Sequence, residues 1–111
     1  KQAKRAGLIP IVCIGESKDQ NTFEVIEEQI EDIEKDVILA YEPLWAIGTG
    51  ENASFDKVRE VRGFLKDRKI LYGGSVNSQN AKDYLEITDG LLIGGASLDA
   101  IEFLKIIKTA Y

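Results

Sequence analysis

Four short runs with strand character, each ending at a glycine or a carboxylate and each followed by helical spacing, leave few folds open to this chain. The runs are Leu8–Ile14, Val37–Tyr41, Arg68–Tyr72 and Asp89–Ile93. They are short and rich in β-branched and aromatic residues, so they read as strands. The first is apolar throughout, as expected of a strand buried on both faces. Between them, Asn21 or Thr22 caps a helix whose Ile26, Ile30 and Ile33 form one stripe, and Ser54 caps another that turns Val58, Val61 and Leu65 inward. Asn77 or Ser78 starts a shorter helix carrying Ala81 and Leu85. Ser97 is the expected cap of a last helix, with Leu98, Ile101 and Leu104 on its inner side. Lys1–Arg5 reads as the tail of a further helix stopped at Gly7. The repeat is βα, four times, with a unit of roughly 25 residues, and such alternation implies a parallel sheet with right-handed crossovers. Four units make either half of an eight-fold barrel or an open doubly-wound sheet.

Composition narrows the function. The 111 residues suffice for one domain, 1–111, with no linker or low-complexity segment. A net charge of -5 speaks against a general nucleic-acid binder or an anionic-membrane binder. A small anion would have to be held by local N–H groups rather than by the overall field. The one cysteine, Cys13, cannot form an internal disulfide and lies in an apolar run, so it reads as a small buried residue in a reducing, cytoplasmic protein. No apolar run approaches the ~20 residues of a membrane span, and no signal peptide is visible. The chain starts at Lys1 and has no methionine, as expected of a piece of a longer gene product. It also has no histidine, so any imidazole acid or electrophile would come from elsewhere. No spacing of carboxylates suggests a metal site. Glu24, Glu27, Glu28, Glu31 and Glu34 read as a solvated helix face.

In parallel α/β folds the C-terminal ends of the strands face the site. Here those ends are Gly15-Glu16, Glu42-Pro43, Gly73-Gly74-Ser75 and Gly94-Gly95. Glycines between a strand and a helix let the backbone approach a ligand, and free N–H groups there favour an anion such as phosphate; a tight βα turn alone also asks for glycine. Glu42 sits where a strand stops, because Pro43 has no N–H for the ladder and holds its predecessor extended. The residues that follow are apolar up to Ile47 and then glycine-punctuated, Gly48-Thr49-Gly50. Loops normally lie in water and are polar, so this one is either a buried turn or a lid that covers a carboxylate on closing. Glu42 itself is either a base or the partner of a nearby cation. Glu16 reads as a hydrogen-bonding group rather than a second acid.

These residues resemble the triosephosphate isomerase family. The motifs are Ala40-Tyr41-Glu42-Pro43-Leu44-Trp45-Ala46-Ile47-Gly48-Thr49-Gly50, Tyr72-Gly73-Gly74-Ser75-Val76, Asp89-Gly90-Leu91-Leu92-Ile93-Gly94-Gly95-Ala96-Ser97-Leu98 and Cys13-Ile14-Gly15-Glu16, in the family's order across essentially the whole chain. The resemblance is to strands five to eight, so the fold it implies is α/β, a (βα)4 half of a (β/α)8 barrel. It implies that Glu42 is the catalytic base and that Gly48, Ser75, Gly94 and Gly95 bind the substrate phosphate through the backbone. Pro43, Leu44 and Trp45 would lead into a lid that runs on through Ala46, Ile47, Gly48, Thr49 and Gly50. Ile47 and Leu92 would close over the base. Tyr72 and Ser75 would latch the lid near Ala53 and Gly50, and Glu16 and Tyr41 would alternate as partners of Trp45.

The implied reaction interconverts dihydroxyacetone phosphate and glyceraldehyde 3-phosphate, without cofactor or metal, in a homodimer of the full-length protein. The chain departs from the family at Glu51-Asn52-Ala53, where a lysine often comes first, and in a short segment between the third helix and the Leu71 strand. It also lacks the first half, which in the family carries a lysine, an electrophilic histidine, a further glutamate and the main dimer-forming loop. A half-barrel that merely binds phosphate is the alternative reading.

Overall fold

The computed structural model describes residues 1–111. A short helix α1 (Gln2–Arg5) stops at Gly7, whose φ of 76° suits a residue without Cβ. Then follow β1 (Ile11–Ile14), α2 (Thr22–Ile30), β2 (Ile38–Tyr41), α3 (Phe55–Leu65), β3 (Ile70–Tyr72), α4 (Ala81–Leu85), β4 (Gly90–Leu91) and α5 (Ala100–Thr109). Single 3₁₀ turns precede α3 at Leu44–Ala46 and α5 at Gly95–Leu98. No helix is long and apolar enough to cross a membrane.

The sheet decides between the two architectures left open. Its strands lie in the order β1-β2-β3-β4, every pair parallel. A doubly-wound sheet reverses its order at a switch point, whereas a barrel adds each strand beside the last. The chain is therefore half of a (β/α)8 barrel. In register, Ile14, Tyr41, Tyr72 and Leu91 form one row and Cys13, Ala40, Leu71 and Gly90 the next. The first row faces the helices. There Leu39, Tyr41, Ile70 and Tyr72 meet Ile26, Val58, Val61, Ala81 and Tyr84 in one core cluster.

Local chemistry places the helices. Asn21 Oδ1 accepts from the N–H groups of Phe23 and Glu24, both at 3.1 Å, and Ser54 Oγ accepts from Lys57 N at 3.1 Å, so these two caps are as expected. Five expectations need correction. α2 ends at Ile30, so Ile33 lies past the helix in the connection to β2, although it still packs against the core. β1 begins at Ile11, not Leu8, and it is not buried on both faces: Leu8, Ile9, Ile11 and Cys13 are exposed. It is an edge strand, and its inner face has no opposing layer in this chain. The helix at residues 81–85 starts after Asn80, because Asn77 Oδ1 is spent on a preceding turn, accepting from Gln79 N and Asn80 N. Ala81 is buried as expected, but its buried companion is Tyr84, while Leu85 is only partly covered.

The strand expected at Asp89–Ile93 is reduced to Gly90–Leu91, although Asp89 N and Leu92 N still donate to the Ile70 and Tyr72 carbonyls. Last, α5 is capped by Asp99, not Ser97. Asp99 Oδ1 accepts from Ile101 N and Glu102 N, while Ser97 bonds back to Gly94 O within the 3₁₀ turn. The inward face is then Phe103 and Ile106, leaving Leu98, Ile101 and Leu104 exposed. Both stripes have helical spacing, and periodicity alone cannot choose between them.

Candidate active site at the strand ends

Glu42 leaves β2 held by its neighbour strand on both sides. Its N–H donates to Ile14 O at 2.8 Å, and two residues on Leu44 N donates to Glu16 O at 2.9 Å. The main chains come so close that a Cβ on Gly15 would lie 2.2 Å from Glu42 O, so only glycine fits. Gly15 is itself gripped by Gln29 of α2, which accepts from Gly15 N at 2.9 Å and donates to Gly15 O at 3.0 Å. The Glu42 side chain lies over Gly73 after β3, where an added Cβ would stand 2.6 Å from Oε1. The Cys13 thiol is on the same inner face, and partial burial, then the nearby Glu42 carboxylate, push its pKa up.

Glu16 is 3% exposed, and Tyr41 Oη donates to its two carboxylate oxygens at 3.1 and 3.2 Å. Burial and the Glu16 charge raise the Tyr41 phenol far above its usual range, so it stays a donor. Trp45, half-buried nearby, follows immediately on the Leu44 contact.

From Pro43 the chain arches over the strand ends and is tied down on the β3 side. Ala46 N donates to Pro43 O at 2.9 Å and Thr49 Oγ1 to Trp45 O at 2.9 Å. Gly48 and Gly50 turn the chain with φ of 64° and 78°. Ser75 Oγ accepts from Gly50 N at 3.1 Å and donates to Ala46 O at 2.8 Å, so one hydroxyl joins both limbs of the arch. Ala53 N donates to Tyr72 Oη at 2.9 Å.

Beneath the arch is a cavity of about 300 Å³. Its walls include Glu42, Ile47, Gly48, Ser75, Leu92, Gly94 and Gly95, so the structure gathers the expected base, apolar cover and anion positions around one space. Glu16 and Tyr72 do not line it: Tyr72 Oη donates to Gly74 O at 3.2 Å beside the cavity, and Glu16 O accepts from Leu44 N at the start of the arch. The N–H groups of Gly48, Ser75, Gly94 and Gly95 have no acceptor within the chain and are free to meet an anion. No cluster of three or more His, Cys, Asp or Glu side chains could hold a metal ion. Together these groups provide a carboxylate and unpaired backbone donors in one sheltered space, which suits proton abstraction from a small anionic ligand.

Two residues in this arrangement, Gln29 and Tyr84, were not singled out by their sequence, and Asn52 stood out only within the departing Glu51-Asn52-Ala53, with no role of its own. Gln29 had a signal, being the one amide among glutamates one turn after Ile26. The other two make contacts to residues far along the chain that no local pattern encodes.

The family model described as triosephosphate isomerase matches residues 1–110. Curated triosephosphate isomerases of Shewanella loihica and Shewanella frigidimarina are each 42% identical to this chain over 134 residues, covering 97% of it and 52% of their own length. That of Shewanella sp. strain ANA-3 is 40% identical over the same span. The chain spans about half the length of the curated relatives it matches. The aligned span of 134 residues also exceeds the 111 of this chain, so the relatives carry residues within the matched region that have no counterpart here.

Proposed function

This chain belongs to the triosephosphate isomerase family, and on that footing we propose that it supplies the base, the lid and the phosphate cradle of an enzyme interconverting dihydroxyacetone phosphate and glyceraldehyde 3-phosphate. In this reading Glu42 takes a proton from the carbon beside the substrate carbonyl, leaving an enediolate, and returns it to the neighbouring carbon. One C–H bond breaks and another forms, and the hydroxyl proton passes between the two oxygens. A positioned base typically contributes about 10²–10⁴-fold. Gly48, Ser75, Gly94 and Gly95 hold the phosphate through their N–H groups. Closure of residues 43–50 excludes water, with Ile47 and Leu92 covering the carboxylate. Triosephosphate isomerase is itself the standing example of a glutamate base beside a neutral histidine under a closing loop, and that picture is carried over from it.

The histidine and a lysine would come from a first half that completes the barrel, residues 1–111 forming one half-barrel domain within a cytoplasmic homodimer. The observation that carries the proposal is that Glu42 and four residues with unpaired N–H groups line one cavity.

The test is a coupled isomerase assay on the chain joined by a first half, with Glu42→Gln as the variant. Turnover is expected to vanish, because the amide cannot accept the carbon-bound proton, while a phosphate-bearing inhibitor binds nearly as before. Near-full turnover in Glu42→Gln would end the assignment. The 111 residues alone are expected to show no enzymatic rate, since losing one oxyanion donor costs about 10²–10³-fold and two are outside the chain.

A further inference from the structure

The trailing end of the arch is held by more than Ser75 and Tyr72. Asn52 Nδ2 donates to Gly74 O at 2.5 Å and to Ser75 O at 2.9 Å, spending both of its hydrogens on the turn after β3. One residue on, both backbone groups of Ala53 are taken by phenols. Its N–H goes to Tyr72 Oη, and its carbonyl accepts from Tyr84 Oη. Ala53 is 1% exposed, so neither group has water as a substitute. Tyr84 also fixes its companion: its ring stacks on Tyr72 at 4.1 Å between centroids and 29° between planes, and the Phe55 ring packs against Tyr84 in turn at 4.8 Å. Neither Asn52 nor Tyr84 lines the cavity under the arch.

We propose that Asn52 and Tyr84 are positioning residues, a clasp that pins the trailing hinge at residues 52–53 and so sets the open–closed balance of the 43–50 lid. The proposal rests on the lid reading given above. It adds a physical asymmetry. The leading end, Pro43 to Ala46, is fixed mainly by backbone bonds to the end of β1 and within its own turn. The trailing end is fixed by side chains, which substitution can loosen one at a time. Asn52 joins the lid to the same Gly74–Ser75 turn whose serine already bridges Ala46 and Gly50. Opening the arch therefore requires this turn to release four bonds together, which favours an all-or-none motion over fraying. Tyr84 acts one step back. It holds the Ala53 carbonyl and presents the Tyr72 hydroxyl at the height where Ala53 N meets it.

Amide hydrogen exchange on the full 111-residue chain tests this, with fluorescence of Trp45, the only tryptophan and a member of the lid, as a second readout. Asn52→Ala loses two hydrogen bonds and is expected to speed exchange at Gly50 and Ala53 roughly 10- to 30-fold. Tyr84→Phe keeps the ring stack but leaves the Ala53 carbonyl unpaired, and is expected to give about tenfold or more. Exchange in α3 at Val61 and Leu65 should be unchanged, and inorganic phosphate should alter Trp45 emission less in both variants than in the unsubstituted chain. Unchanged exchange at Gly50 and Ala53, acceleration spread equally into α3, or no protection of these amides in the unsubstituted chain would each overturn the clasp. Glu42→Gln is expected to leave this exchange alone, so the base assignment and the clasp can fail separately.

Discussion

Gly73→Ala puts one methyl group against the carboxylate that the proposed chemistry depends on. The ideal Cβ lies 2.6 Å from Glu42 Oε1, 2.9 Å from Cγ and 3.1 Å from Cδ, and no nearer atom belongs to any other residue. Gly73 is not among the residues with positive φ, so alanine meets no backbone obstacle. The strain therefore falls on the Glu42 side chain, which can swing. Ordinary contact needs about 3.5 Å, so Oε1 must retreat by roughly 1 Å. Displacing a reacting group by that much costs about 10²-fold in rate. The stability cost should stay near the low end for overpacking, about 1 kcal/mol, because the yielding group is the mobile end of a side chain. The assay is kcat in the completed barrel, beside the affinity of a phosphate-bearing inhibitor and the thermal midpoint. The expected result is a fall in kcat of about two orders of magnitude with inhibitor affinity retained. Unchanged kcat would mean that Glu42 does not work from the position it holds over Gly73. Equal loss of kcat and inhibitor affinity would mean that the methyl disturbs the cradle instead.

Two further outcomes follow from the packing. Asp89 accepts from Ile70 N at 2.9 Å and pairs with Arg62 of α3, joining α3 to the starts of β3 and β4; the Arg62 guanidinium, then the Ile70 N–H, hold its carboxyl below the usual range. Its contribution is present above the unfolded value of about 3.9 and is lost as pH falls through the lower folded value. Asp89→Asn should therefore cost about 1 kcal/mol in urea unfolding at neutral pH, after allowance for its partial exposure, and much less near pH 3, whereas an equal loss at both pH values would refute the linkage. On α5, Ile101 and Leu104 are 69% and 54% exposed on the stripe that faces away from the core. If a first half covers it, Ile101→Lys with Leu104→Lys should weaken capture of that half in sedimentation while leaving the fold of this chain intact, and undiminished capture would place the contact elsewhere.

What the sequence made legible was governed by how local the physics is. Asn21 and Ser54 announce their helices because a cap acts within three residues. Glu42-Pro43 marks a strand end because proline acts on its own backbone and on its predecessor. Ser97 misled for the same reason: Asp99, two residues on, is an equally good cap, and the choice depends on the Gly95–Leu98 turn. Cys13 and Ile11 looked buried because an apolar run carries no record of whether its second face has a partner. The clasp was out of reach altogether. Asn52 reads only as part of a departing tripeptide and Tyr84 as an ordinary helix residue until the fold brings the Gly74 and Ser75 carbonyls to the first and the Ala53 carbonyl to the second.

The opposite end of the sheet shows why a chain with fewer residues than its relatives over the matched region can keep this cavity. All the groups around the cavity come from loops that leave the strand C-termini. The returning connections do no such work, and they are short: only residues 66–69 lie between α3 and β3. That turn is tight enough to hold Lys66 at a φ of 52°, an uncommon setting for a residue with a Cβ. Two residues on, Arg68 donates to Ile33 O at 2.8 Å and Glu34 O at 3.0 Å, stitching this connection to the one between α2 and β2. A barrel separates the loops that shape its site from those that only return the chain, so shortening the second set changes strain and stability without moving a wall of the cavity. The arch, the Gly74–Ser75 turn and the Gly94–Gly95 turn, by contrast, all line the cavity together with Glu42.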